Sequence, residues 1–320
     1  MPARITSTGA ATDSDQLTIF YGSKPHVVNA TTLATPMLAP TDNLNLRNPY
    51  GYRPGDLILL QDPGTPKNCS IMEVTATSAS VPPPTAPGNV AHGTSNYTVL
   101  LGAGVAKDPR FNPAGGLGVT YNGTLTNATL VFNLGSLYEP AEAPNLPVHN
   151  TYAIVNRSLQ FTSLFVPSLA TVKSPQVSTV ADNIVHMRAL YGVDTGPYDA
   201  NGYGDGIVDS FVDAATFNGM TLNGFTPPWR YVIAVRVALV ARSALAEKPS
   251  EGASGCDATT DGTETPPGAD RRPRRTGPGP VSPPPAQVPF NLTADPDWKC
   301  YRYRVFETTV PLRNWIWRSS

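Results

Sequence analysis

The sequence predicts a strand-rich α+β fold: antiparallel sheets, one main helix at about residues 178–191, and long loops. Three observations carry this. Charged residues make up 15% of the chain, against about a quarter in an ordinary domain, and helices favour Glu, Lys and Arg because these lose little rotamer freedom there. Turn formers are abundant, with 34 Pro and 27 Gly in 320 residues, which suits many short strands. One segment shows helical spacing: Val180, Ile184, Met187 and Leu190, widened by Ala181 and Val185 and stopped by Gly192.

The strands follow in order. Leu17 to Tyr21 reads as the first. Arg53-Pro54-Gly55 is a turn into Asp56–Gln61, and the loop 62–68 leads to a returning strand from Cys69 to Thr75. Residues 78–95 are rich in Pro, Thr and Gly and read as a surface loop. Tyr97 to Leu101 and Thr129 to Leu134 are further strands. Tyr152 to Val155 and Leu159 to Phe161 form a hairpin around Asn156-Arg157. The β-branched run Tyr231 to Val240 favours a strand over a helix. A last strand, Tyr301 to Val310, is its expected partner, and Pro311 ends the pairing or marks an edge.

The organisation predicted is one domain over 1–320, with a Pro/Gly-rich, flexible insertion at 247–295. That tract has few large apolar residues and cannot offset its own ordering entropy. Its cluster Arg271-Arg272-Pro273-Arg274-Arg275 reads as a solvated loop. A net charge of −1 argues against a nucleic-acid partner, because such binding needs clustered cations. No run is long and apolar enough to span a bilayer as a helix. The opening Met1-Pro2-Ala3-Arg4 has no apolar signal region.

The three cysteines, Cys69, Cys256 and Cys300, include no CxxC pair. One disulfide and one free, buried thiol is the simplest arrangement in an oxidising compartment. Cys256 with Cys300 is the favoured pair, because the two bracket the Pro-rich tract. Chain entropy would give that crosslink about 4 kcal/mol. Three unpaired, buried cysteines is the other reading.

No catalytic constellation stands out, and the chain is expected not to be an enzyme. His26, His92, His149 and His186 lack metal-ligand spacing, and neither a nucleophile elbow nor a phosphate loop occurs. One segment is metal-like. Asp194, Asp199, Asn201, Asp205 and Asp209 alternate with glycines, and calcium needs several hard oxygens on a pliable backbone. Calcium is thus the one cofactor expected. The other reading of the same residues is a Gly/Asp loop with Asx-type caps.

Several segments together resemble the PilW family of type IV pilus minor pilins. They are Gly55 to Leu60 leading to Cys69, Ala181 to Val185 leading to Tyr191-Gly192-Val193-Asp194, and Asp205 to Asp209. Trp229 with Ala234 to Ser243, and Tyr301 to Asn314, complete the set. The family is related to the type II secretion pseudopilin GspJ. The resemblance implies a pilin-like head domain and a structural minor pilin. It implies assembly with other minor pilins into a tip complex that primes the pilus and supports a tip adhesin. The partners implied are minor pilins, the major pilin and that adhesin. The location implied is the inner membrane facing the periplasm before assembly, and the pilus tip at the cell surface after it. Family members open with a leader and a long apolar helix. The expectation is that both are missing here, through truncation or start-site choice. Trp298, Trp315 and Trp317 are candidate interface aromatics, with core or edge packing as the alternative. A second function class is a calcium-stabilised surface or carbohydrate-binding adhesin module.

Overall fold

The computed structural model describes residues 3–8, 10, 13–23, 30–62, 69–78, 87–99, 105–107, 109–123, 128–137, 146–165, 175–200, 202, 204–252, 254–259, 291–293 and 295–312. The chain forms two compact units. The first comprises Met1–Ile19, Asn150–Thr162 and Val177–Ser320, and the second Phe20–His149 and Ser163–Gln176.

In the second unit, Asp56–Gln61 lies between Leu130–Ser136 and Ser70–Glu73, and Thr31–Thr32 completes that sheet. A three-stranded sheet joins Leu44–Leu46, Gly88–Ala91 and Ala76–Thr77, and Tyr97–Val99 pairs with Val105–Lys107. The strand Gly88–Ala91 falls inside the stretch expected to be loop. Leu33, Leu44, Leu46, Ile58, Leu60, Met72 and Val90 are among its fully buried core residues. The Arg53-Pro54-Gly55 turn is present, with Gly55 at φ 93°. Buried Asp56 closes it by accepting from the Arg53 N–H (2.9 Å) and from Asn133 Nδ2 (2.7 Å). Burial, and then the nearby Asp56 charge, push the Tyr52 hydroxyl pKa up. That hydroxyl stays protonated and donates to the Val131 carbonyl.

The first unit contains the C-terminal sheet, ordered Ser210–Val212, Ile184–Val193, Val232–Arg242, Tyr303–Pro311, with every pairing antiparallel. A second sheet is ordered Ala3–Thr6, Gln16–Tyr21, Val148–Val155, Ser158–Ser163, Gln176–Asp182. Asn156 and Arg157 make the tight turn of its hairpin, both at positive φ (50° and 62°), as a two-residue turn between right-twisted strands requires. Ala3, Ile5, Leu17 and Leu159 pack in one core with Met187, Ala189, Tyr191 and Val235. Tyr191, Phe217 and Trp229 form an aromatic cluster there, with ring centroids 4.4–5.3 Å apart.

The expected α+β pilin-like class is corrected to a mostly β fold, and the helix at 178–191 does not exist. The segment forms strand Gln176–Asp182, a left-handed Asn183 (φ 59°), and strand Ile184–Val193. The reason lies in its neighbours. Ile184–Val193 is hydrogen-bonded on both sides and nearly all buried. A strand covered on both faces loses its polar alternation, so its apolar spacing imitates a helix. Met187 and Leu190 are both buried, yet an odd separation puts them on opposite faces. Gly192 is no helix stop. A Cβ there would lie 3.0 Å from the Ala234 Cβ and 3.1 Å from the Phe211 ring. The α-helix found among the described residues is Ala214–Gly219, capped by Asp213, which accepts from the Thr216 N–H at 2.9 Å. No helix among the described residues is long and apolar enough to cross a membrane. Most of the expected insertion at 247–295 lies outside the described residues.

Candidate interaction site

The C-terminal sheet ends on Tyr303–Pro311. This strand pairs with Val232–Arg242 from Tyr303 opposite Arg242 to Pro311 opposite Ala234, and no other described strand lies beyond it. β-branched residues recur in both strands, and Tyr303 and Phe306 add aromatics to the second, as a pleated surface favours. Just outside the register, the Ser243 N–H donates to the Arg302 carbonyl and the Leu312 N–H to the Ile233 carbonyl, both at 2.8 Å. Hydrogen-bonding direction alternates along an antiparallel strand. Arg302, Arg304, Phe306, Thr308, Val310 and Leu312 therefore turn their backbone groups inward. Tyr303, Val305, Glu307, Thr309 and Pro311 turn theirs to the open side. Pro311, with no N–H to offer, stands at an outward position, where a sheet tolerates it.

The side chains divide along the same strand. Tyr303 and Val305 pack with Val240, Val185 and Trp298. Trp298 is thus a packing residue, whereas Trp315 and Trp317 lie outside the described residues. Phe306 is 51% and Val310 49% exposed. Their cross-strand neighbours are Val235, in the core of the unit, and Leu239, half-buried against it. The apolar face thus continues outward past its cover. Glu307 pairs with Arg236. The Arg304 guanidinium lies over the Phe306 ring, 5.3 Å from its centroid.

At the start of this strand, Cys256 and Cys300 are joined by a disulfide with Cα atoms 4.8 Å apart, while the free thiol, Cys69, is exposed and not buried as expected. The segment is held further by Glu247 N–H to Cys300 carbonyl (2.7 Å) and by the Arg302–Glu247 ion pair. A cleft of about 310 Å³ opens beside it, lined by residues that include Arg157, His186, Asn291, Asp295 and Tyr303. Asp295 is gripped by Arg157 (3.2 Å) and Arg242 (3.3 Å). Burial, then the Asp295 charge, raise the Tyr303 pKa against the opposing pull of Arg242. The hydroxyl donates to the Trp298 carbonyl at 3.1 Å. These polar groups are committed to tying Asp295 and Trp298 onto the sheet. His186, expected on a helix, is buried in strand Ile184–Val193 and lines this cleft.

The Gly/Asp loop follows Val193. Asp194 is fully buried and accepts from the Gly196 N–H (3.1 Å) and Gly206 N–H (2.8 Å). Gly204 passes so close that a Cβ there would lie 2.0 Å from Asp194 Oδ1. Asp209 accepts from the Thr195 N–H (2.7 Å), and Asp205 from the Ile207 N–H (2.9 Å). Asp199 closes a turn by accepting the Gly202 N–H on its carbonyl. Asn201 lies outside the described residues. The side chains of Asp194, Asp205 and Asp209 thus act as acceptors for backbone N–H groups, as Asx-type caps do. Among the described residues, no group of three or more His, Cys, Asp or Glu side chains converges as a metal-ligand set.

Comparison with known proteins adds one finding. A family model described as "PilW: Type IV Pilus-assembly protein W" matches residues 151–314, slightly more than half of the chain. Neither a curated protein nor a solved structure matches it.

Proposed function

The chain belongs to the PilW family of type IV pilus-assembly proteins, and from that premise we propose that it is a structural, non-catalytic subunit of pilus assembly. One observation carries the reading. The matched stretch contains the whole C-terminal sheet, including its open edge Tyr303–Pro311. A subunit acts by presenting surface to its neighbours, and a nine-residue edge strand that no other described strand covers is such a surface. In the finer form of the proposal the chain is a minor pilin. It joins other minor pilins in a tip complex that primes assembly and supports a tip adhesin. Its place is the inner membrane facing the periplasm before assembly, and the pilus tip afterwards.

Deleting the gene and counting surface pili by electron microscopy tests the reading. The expected result is a loss of most pili, restored by the wild-type gene. Unchanged piliation in the deletion strain sinks it.

A second reading has its own observation. Phe225 is 44% exposed, with the Arg230 guanidinium 4.9 Å from its ring centroid. Tyr231, beside it, donates to the Gly202 carbonyl of the Gly/Asp loop. An aromatic face next to that loop suits a carbohydrate-binding adhesin module, calcium-stabilised or not. A silent glycan array, together with co-purification of other minor pilins, removes it.

A further inference from the structure

We infer that the edge Tyr303–Pro311 accepts an added antiparallel β-strand from another pilus-assembly subunit, one carrying a carboxylate opposite Arg304 and apolar residues against Phe306 and Val310. The inference rests on the assembly reading above and names the site and chemistry of one contact.

Three observations commit the edge to this occupant. The first is the backbone. Tyr303, Val305, Glu307 and Thr309 direct their N–H groups, and these residues with Pro311 their carbonyls, away from Val232–Arg242, and no described strand takes them up. Such a row is a template for strand addition. An extended segment satisfies it; a helix cannot. The second is the uncovered face. Phe306 and Val310 extend the apolar row of Leu239 and Val235, so the added strand gains burial as well as hydrogen bonds. The third is charge. Glu307 is already engaged by Arg236, whereas Arg304 is exposed and stacks on Phe306. The open charge of the strand is positive, and a carboxylate on the incoming strand answers it.

A second copy fits less well. A twofold axis perpendicular to the sheet keeps each residue on its own face, so cross-strand pairs must have the same parity. Arg304 then never opposes Glu307, and the register centred on Glu307 sets two carboxylates against each other.

The test uses the full chain and the other pilus-assembly subunits of the same cell, purified and mixed one at a time. Residue-resolved amide exchange is the readout. One mixture is expected to slow exchange at Val305, Glu307 and Thr309 at least tenfold, while Arg304, Phe306 and Thr308, already bonded inward, change little. That alternation is the mark of strand addition, and docking on side chains alone does not produce it. Thr309→Pro removes an outward N–H that the fold does not use. It is expected to abolish the protection with little change in Tm, as natural Pro311 two positions on is accommodated. Arg304→Glu is expected to weaken binding at least tenfold.

Four results with the purified proteins overturn the inference. They are uniform or absent protection in every mixture, protection that rises with concentration of the chain alone (a second copy), protection of the free chain lost when it is ended after Leu312 (its own C-terminal residues), and full binding by Thr309→Pro. If Thr309→Pro leaves piliation intact while the gene deletion abolishes it, the assembly role stands and this contact falls.

Discussion

Ile184–Val193 and Tyr303–Pro311 flank the same strand, Val232–Arg242, and both pair with it antiparallel along most of its length. The first is buried at nine of its ten positions; the second has no buried position. Composition does not explain the contrast, because both carry β-branched, aromatic and arginine residues. The layer above them does. Ala3, Ile5 and Leu17 of the N-terminal hairpin cover Met187, Ala189 and Tyr191. Asp15 reaches down to Arg188 (3.0 Å) and to the Ala189 N–H (2.8 Å), and the Tyr191 hydroxyl accepts the Ile5 N–H. Nothing described performs this for Phe306 and Val310. One ladder of hydrogen bonds therefore supports a core strand on one side and a surface strand on the other.

The arginines test the contrast most severely. Arg188→Ala strands the Asp15 carboxylate, 3% exposed, and should cost about 3–5 kcal/mol in urea denaturation. Arg304→Ala should cost less than about 0.5 kcal/mol. Equal losses would break the comparison. Next come the apolar pair: Met187→Ala should cost about 2–5 kcal/mol, and Phe306→Ala less than about 1 kcal/mol. A loss at Phe306 as large as at Met187 would show that the edge is covered in the free chain.

The disulfide sharpens the comparison on the edge side alone. Cys256→Ser with Cys300→Ser should cost about 2–4 kcal/mol. Exchange at Arg304 should quicken before exchange at Met187. Simultaneous loosening of both strands would refute a local role for the crosslink.

A smaller effect lies at the end of the sheet opposite Tyr303–Pro311, where Asp213 caps the helix after Ser210–Val212. Burial alone would raise its pKa, but hydrogen bonds from Thr216 outweigh it and hold the carboxylate below its ordinary 3.8. A depressed folded pKa means stability present above the unfolded value and lost as pH falls through the folded one. Asp213→Ala should thus cost about 1 kcal/mol at neutral pH, and progressively less below pH 3.8. A penalty independent of pH would refute the cap. The smallest effect concerns calcium. With Asp194, Asp205 and Asp209 already accepting backbone N–H groups, calcium against a chelator should barely move Tm. A clear rise would mean that these carboxylates exchange backbone partners for a metal.

Much of the strand layout was legible because its signals are local. The Arg53-Pro54-Gly55 turn, the Asn156-Arg157 turn and the β-branched run of Val232–Arg242 each depend on neighbours along the chain. The Gly/Asp loop was legible as a place but ambiguous in role, since a carboxylate suits a backbone cap and a calcium ion equally well until its partners are fixed. The edge was half legible. Pro311 allowed it, as one of two readings beside the end of pairing, but the row of outward amides depends on a register that no single strand contains.

By itself the sequence determined that Asp56–Gln61, Val232–Arg242 and Tyr303–Pro311 are strands, where the Arg53-Pro54-Gly55 and Asn156-Arg157 turns fall, and which cysteines bracket the Pro-rich tract, because propensity, turn chemistry and chain connectivity act within a few residues. Tertiary structure alone decided that 184–193 is a strand and not a helix. Burial on both faces erases the alternation by which a strand is read, and only the pairing partners restore the distinction. It also decided that Ile184–Val193 is covered while Tyr303–Pro311 is left open. That depends on how far the N-terminal hairpin reaches across the sheet, a distance set by packing between segments more than a hundred residues apart.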